Sequence, residues 1–146
     1  MSDPLLESIQ PEGWARPRGY VNGMITRGPL LHVAGQIGWE PDTCTFEALD
    51  MISQFGRALD NVLDVVRAAG GGPESVARMT VYVTDMDAYR TAGRALGDAW
   101  KARFGRHYPS MALVRVVELV EPRALIEIEA VACLAPSSPT QPNGEA

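Results

Sequence analysis

The stretch that most constrains this chain covers residues 108–134, YPSMALVRVVELVEPRALIEIEAVACL. Two apolar, β-branched runs flank a break at 120–123, which predicts two strands, 110–118 and a second reaching residue 134. Side chains alternate faces along a strand, so Glu127 and Glu129 share one face with Leu125, Val131 and Cys133, about 6–7 Å apart. Folding does not call for two carboxylates in so apolar a strand. Buried there, they need partners or a raised pKa. Two readings stay open. One carboxylate lines a cleft, holds a water and moves protons, or both pair with Arg115, Arg123 or another base at a wet strand end.

The rest of the chain supplies the layers such strands need. Residues 1–18 read as an irregular lead-in packed by Trp14. Residues 20–26 and 30–37 read as strands joined by the Arg27-Gly28-Pro29 turn and paired as a hairpin. The strongest helix pattern spans 49–69, with Met51, Ile52, Phe55, Leu59, Val62, Val66 and Ala69 recurring every three or four residues. The Gly70-Gly71-Gly72-Pro73 run ends it. That run follows a helix and lacks the Lys-Ser/Thr of a phosphate loop, so it is a terminator. Residues 76–83 (VARMTVYV) are a further strand. Asp85 or Asp87 caps a second helix, whose stripe is Tyr89, Ala92, Leu96, Ala99 and Trp100 and whose end is Phe104-Gly105-Arg106. Residues 136–146 read as a disordered tail after a domain at 19–135.

The resulting order, β-β-α-β-α-β-β, predicts an α+β fold with two helices on one face of a mixed sheet. Along 110–118, Met111, Leu113 and Val117 point one way and Ala112, Val114 and Val116 the other. Both faces of that strand are mainly apolar, which predicts that the second sheet face is covered in a closed homo-oligomer.

Composition narrows the function. Eighteen acidic against thirteen basic residues give a net charge of −5, which argues against binding a phosphate backbone and predicts no basic groove. No segment is long and apolar enough to span a membrane, and the N-terminus lacks signal-peptide features, so a cytoplasmic protein is expected. Cys44 and Cys133 read as free thiols, and no His/Cys/Asp spacing suits a metal. Arg115 carries a fork suited to a carboxylate or to a structural ion pair. His107 sits before Tyr108-Pro109 at a strand mouth, where an imidazole could titrate near neutrality. Tyr20 offers a hydroxyl to a cleft or a ring to the core. Gln36, between Gly35 and Ile37 in the run that closes at Trp39, marks either a strand end beside a cleft or a loop cap.

Taken together, Gly19-Tyr20, LLHVAGQIG at 30–38, LDNV at 59–62, VYVTDMDAY at 81–89, Tyr108-Pro109 and IEIEAVA at 126–132 resemble the Rid family of reactive enamine/imine intermediate deaminases, formerly the endoribonuclease L-PSP family. The resemblance covers about residues 17–134. It implies a chorismate-mutase-like domain, a homotrimer with clefts between neighbouring chains, a small-molecule acid as substrate and no cofactor. It also implies catalytic roles for Glu127, which would position the hydrolytic water, and for Tyr20. Substrate contacts would come from Ala34, Gly35, Trp39, His107, Met111, Leu113 and Arg115, with backbone donors at 111–113 orienting the ligand. Three positions depart from the archetypal pattern. Met111 stands where that branch has the arginine that grips the substrate carboxylate, Ala34 where it has a serine, and Gly93 where it has an asparagine.

The expected function is hydrolysis of an enamine/imine intermediate to an oxo acid and ammonia, with a 2-aminomuconate-like acid of aromatic catabolism as candidate substrate. A non-catalytic ligand-binding or regulatory trimer is the alternative, since Met111, Ala34 and Gly93 make the pocket less polar. A ribonuclease is the third reading, disfavoured by the acidic balance.

Overall fold

A computed structural model describes residues 2–137; the predicted tail lies outside the described residues from position 138 on. In chain order the elements are β1 (Leu6–Ile9), β2 (Gly23–Thr26), β3 (Leu30–Ile37), α1 (Met51–Ala68), a 3-10 turn (Pro73–Ser75), β4 (Val76–Val83), α2 (Met86–Thr91), α3 (Gly93–Phe104), β5 (Ser110–Arg115) and β6 (Ile126–Cys133). Four strands form one sheet in the order β3-β6-β4-β5; β4 and β5 run parallel and the other neighbours antiparallel. The fold is α+β, with the helices on one sheet face, as the periodicities predict.

Alternation builds that face. Ile126, Ile128, Ala130 and Ala132 of β6 are buried, as are Met79, Val81 and Val83 of β4. They meet Ala58, Leu59, Val62, Leu63 and Val66, the inner stripe of α1. Each fully buried aliphatic side chain of this kind contributes about 1.5–3 kcal/mol. The fork between Arg103 of α3 and Asp60 of α1, at 2.6 and 3.1 Å, is partly exposed and worth at most about 1 kcal/mol. Apolar packing therefore holds the layers together and the ion pair only trims their orientation. Asp50 starts α1: its Oδ1 accepts from Ser53 N at 2.9 Å, and this hydrogen bond holds the Asp50 carboxyl below its ordinary pKa.

Two buried amides of α1 tie irregular chain to this core. Gln54 donates through Nε2 to Arg123 O (2.9 Å) and accepts at Oε1 from Leu125 N (2.8 Å), anchoring the loop that enters β6. Asn61 Nδ2 donates to Ile37 O (3.0 Å) and Trp39 O (2.9 Å), anchoring the end of β3. Gly38 lets α1 come this close, because a Cβ there would stand 2.5 Å from Gln54 Cα.

Several expectations are corrected. Within the lead-in read as irregular, Leu6–Ile9 is a strand, and it takes the partner assigned to β3: β2 pairs antiparallel with β1. β3 pairs instead with β6. The turn at 27–29 exists but carries the chain from one sheet to the other, with Leu134 N donating to Pro29 O at 2.9 Å; turn residues fix a reversal, not the pairing. Trp14 is 64% exposed and packs no core. The second helix is two helices, α2 capped by Asp85 and α3 beginning at Gly93, a poor helix former. β5 ends at Arg115, so the break before β6 is longer than 120–123. The open sheet face is also less apolar than β5 alone suggests, because β4 and β6 place Arg78, Thr80, Tyr82, Glu127 and Glu129 on it.

Replacing Gln54 by Leu should strip two backbone groups of their partners at unchanged volume. The expected cost is about 2–4 kcal/mol, read as a lower urea midpoint with an unchanged denaturant slope.

Candidate functional site

Tyr20 is brought to the start of β5 by backbone pairing. Val21 N donates to Pro109 O at 3.1 Å, and Val21 bridges Ser110 in parallel register. Tyr108 stacks on Trp100, with ring centroids 5.7 Å apart and planes 5° from parallel, and Trp100 stacks on Phe104 at 4.2 Å. Trp100 Nε1 donates to His107 O (3.1 Å). The His107 ring is itself engaged: Nε2 lies 2.7 Å from Val76 O, and a carbonyl only accepts, so Nε2 carries the proton. His107 is thus a tie between β4 and the mouth of β5 as well as part of the cleft wall.

Two cavities adjoin here. One, of about 310 Å³, is lined by Met111, Gly93, Gly97, Leu96, Trp100 and Tyr108 among others. The other, an open cleft of about 980 Å³, is lined by Tyr20 and His107 together with Trp14, Arg16, Arg18 and Arg106. Gly19 and Tyr108 border both. This cleft overturns the expectation of no basic groove: Arg106 is remote in sequence from Arg16 and Arg18 and meets them only in the fold. β5 is the edge strand of its sheet. Val116 N donates inward to Val83 O, and Pro109 O accepts from Val21 on the outer side. With a period of two, the backbone groups of Met111 and Leu113 therefore face the outer edge, those of Met111 next to Val21. The Leu113 side chain packs on the core beneath.

Glu127 and Glu129 lie elsewhere, on the open sheet face. Glu127 stands between Ile37 of β3 and Tyr82 of β4, and Glu129 beside Thr80. The two carboxylates are treated differently. Tyr82 Oη donates to Glu129 Oε1 at 2.8 Å, and this bond raises the Tyr82 pKa above its ordinary value. The Glu127 carboxylate lies over Gly35, where any Cβ would collide with it. Pairing with Arg115 or Arg123 is not what the fold provides. Arg115 Nε donates to Thr84 O (3.2 Å) and shares the helix-side face with Val83; Arg123 pairs with Glu121 at 3.1 Å and lies over the Phe46 ring. Tyr82 is the partner that sequence reasoning missed. The alternation of VARMTVYV, which sets Arg78, Thr80 and Tyr82 on one face, was the signal for it.

Of the residues singled out from sequence, Tyr20, His107 and Met111 share the cleft region, and Gly35 sits with Glu127. Ala34 lies on the irregular part of β3, its carbonyl accepting from Gln36 Nε2 at 3.1 Å. Trp39 packs against Phe46 at 6.2 Å in the loop beyond. One chain does not bring Glu127 to Tyr20. Met111 pairs with Met79 and Glu127 with Tyr82, three residues or about 10 Å apart along β4, and the two side chains lie on opposite faces of the sheet.

The Tyr82–Glu129 bond has a titration signature. A phenol whose folded pKa is raised contributes stability below about pH 10 and loses it as pH rises through the folded value. Glu129→Gln should bring the tyrosinate absorbance of Tyr82 on at lower pH, and an unchanged curve would mean the bond is not formed.

The profile of the endoribonuclease L-PSP family matches residues 14–134. TdcF of Escherichia coli K12, named "Putative reactive intermediate deaminase", is 34% identical over 131 residues, covering 88% of this chain and 95% of TdcF. A RutC family protein of Pyrococcus horikoshii is 32% identical over 126 residues, covering 86% of this chain and 96% of its own. Among solved structures, the Rid family protein YyfB of Yersinia pestis aligns with a TM-score of 0.79 at 28% identity, over 90% of this chain and all of that one. E. coli TdcF with bound serine aligns with a TM-score of 0.65 at 28% identity, over 91% of this chain and all of that one. Fold, family profile and relatives agree: the chain belongs to the endoribonuclease L-PSP family, the Rid proteins.

Proposed function

We propose that the protein is a hydrolytic deaminase of enamine/imine intermediates, acting in the cytoplasm as a cofactor-free homotrimer whose sites lie in clefts between chains. The observation that carries this reading is the Glu127 carboxylate, set on an open sheet face above Gly35 while its neighbour Glu129 is engaged by Tyr82. Relatives named as a reactive intermediate deaminase and solved with bound serine support a small amino-acid-like ligand. The separation of Glu127 from Tyr20 within one chain supports a site completed by a second chain, with Glu127 of one facing Tyr20 and the β5 edge of the next.

The chemistry asks little of the protein. The enamine tautomerises to its imine. Glu127 takes a proton from water as the water oxygen adds to the imine carbon. The nitrogen gains two protons, the one taken up by Glu127 and the one lost from the newly formed hydroxyl, and leaves as ammonia as the carbonyl of the oxo acid forms. Tyr20 supplies a hydroxyl to the bound molecule, and the outward backbone N–H groups of Met111 and Leu113 orient it. Gly35 makes room for the carboxylate itself, and Ala34 precedes it in β3. His107, Trp39 and Arg115 contribute wall and charge from the surrounding loops and strand ends. A conjugated acid such as 2-aminomuconate is the candidate substrate. A second reading, a ligand-binding trimer without turnover, is favoured by one observation, the apolar cavity at Met111 and Gly93.

Sedimentation should give three times the chain mass. Ammonia release from freshly generated 2-aminomuconate or 2-iminopropanoate should exceed the buffer rate for at least one of them. Glu127→Gln should lower that release by about 10²-fold or more. Saturable binding with no acceleration would select the second reading; a full rate in the variant would remove Glu127 from the mechanism.

A further inference from the structure

The two adjoining cavities differ in chemistry. The smaller is mainly apolar, with Phe55, Val81, Leu96, Trp100 and Met111 in its wall and the exposed Arg90 the one charged residue in its lining. Gly93 and Gly97, one helical turn apart on α3, leave its helix side bare: a Cβ built at either meets nothing within 4 Å. The larger is cationic. Arg16, Arg18 and Arg106 line it against a single acid, Glu74. Ion pairs among the described residues engage Arg27, Arg57, Arg67, Arg90, Arg103 and Arg123, and leave those three out. In a chain of net charge −5, three such arginines around one cleft are a local reversal of sign. Their long stems and the exposed ring of Trp14 also give the cleft apolar walls.

We infer that the ligand is an amphipathic organic acid lying across both cavities, its bulky apolar or aromatic body in the Met111 pocket and its carboxylate among Arg16, Arg18 and Arg106. This rests on the small-acid reading above and specifies its substrate class. Met111 and the two glycines offer a carboxylate nothing, and the one guanidinium in this lining, Arg90, already pairs with Asp87; the walls accept an aromatic or branched body and release water. The carboxylate then finds its counter-charge past Gly19 and Tyr108, in the arginine cleft. Because the arginines are exposed, each contributes modestly and the interaction weakens with salt. The apolar pocket supplies most of the selectivity.

Calorimetric binding of three probes to the full-length protein tests this apart from turnover. 3-Phenylpropanoate should bind at least tenfold more tightly than propanoate, and at least threefold more tightly than 3-phenylpropanamide. The triple variant Arg16→Gln, Arg18→Gln, Arg106→Gln should lose the acid-over-amide preference and its salt dependence. Gly97→Leu, which fills the apolar pocket, should weaken 3-phenylpropanoate by tenfold or more. Equal affinity for the two acids, or an undiminished acid preference in the triple variant, overturns the inference. So does binding of a short single-stranded RNA in the cleft with none of the acid. Binding as expected without ammonia release from any imine would leave the inference standing and remove the deaminase. Turnover of 2-iminopropanoate with no preference for the phenyl-bearing acid would do the reverse.

Discussion

The register of β6 is the constraint on which the rest of the structure depends. Ile126, Ile128, Ala130 and Ala132 face the helices, while Glu127 and Glu129 face away. A slip of one residue would exchange the two sets. It would expose the apolar face and drive two carboxylates into a core with no bases to meet them, a penalty of several kcal/mol per charge. β6 also lies between β3 and β4, so both neighbours inherit its register. The carboxylates are therefore held by the packing on the other side of their own strand, which frees Glu127 from needing a partner to stay in place.

Polar pins extend that order to the chain ends around the carboxylates. Gln54 holds the loop that delivers Leu125 to β6, and Asn61 holds the end of β3 beside Ile37. Both amides project from α1, the helix that buries the core, so the frame of the site and the core are one unit. The Tyr82–Glu129 bond lies across β4 and β6 on the open face and fixes the second carboxylate. Two glutamates two residues apart thus have unlike environments, one committed to a phenol and one left above a glycine.

The cleft at Tyr20 has a different origin. Tyr20 is placed by the backbone bridge from its neighbour Val21 to Ser110, and the wall beside it by the Trp100–Tyr108 stack and the His107 tie to β4. These contacts form on the edge strand, where backbone groups remain free, and on the side of the sheet away from Glu127. A chain built this way carries Glu127 and Tyr20 at two separate surfaces. Within one molecule Glu127 would have to cross the sheet to reach Tyr20.

Much of this was readable in the chain. The 3.6-residue stripe of α1, the alternation in 76–83 and 126–133, the caps, and the two strand carboxylates all declare themselves, because secondary structure and face assignment follow from local spacing. The motif order from Gly19 to Ala132 carried the family resemblance. What spacing cannot express is which strands pair. β2 went to β1 and β3 to β6, since a turn reverses a chain without choosing its neighbour. Nor can it express which remote side chains converge: Tyr82 with Glu129, Arg16 and Arg18 with Arg106, Gly35 beneath Glu127. Those meetings depend on the packing of α1 and on strand order, which are sums over the whole core. The candidate residues were therefore determined by the sequence alone, and their division between two faces was decided only by the tertiary structure.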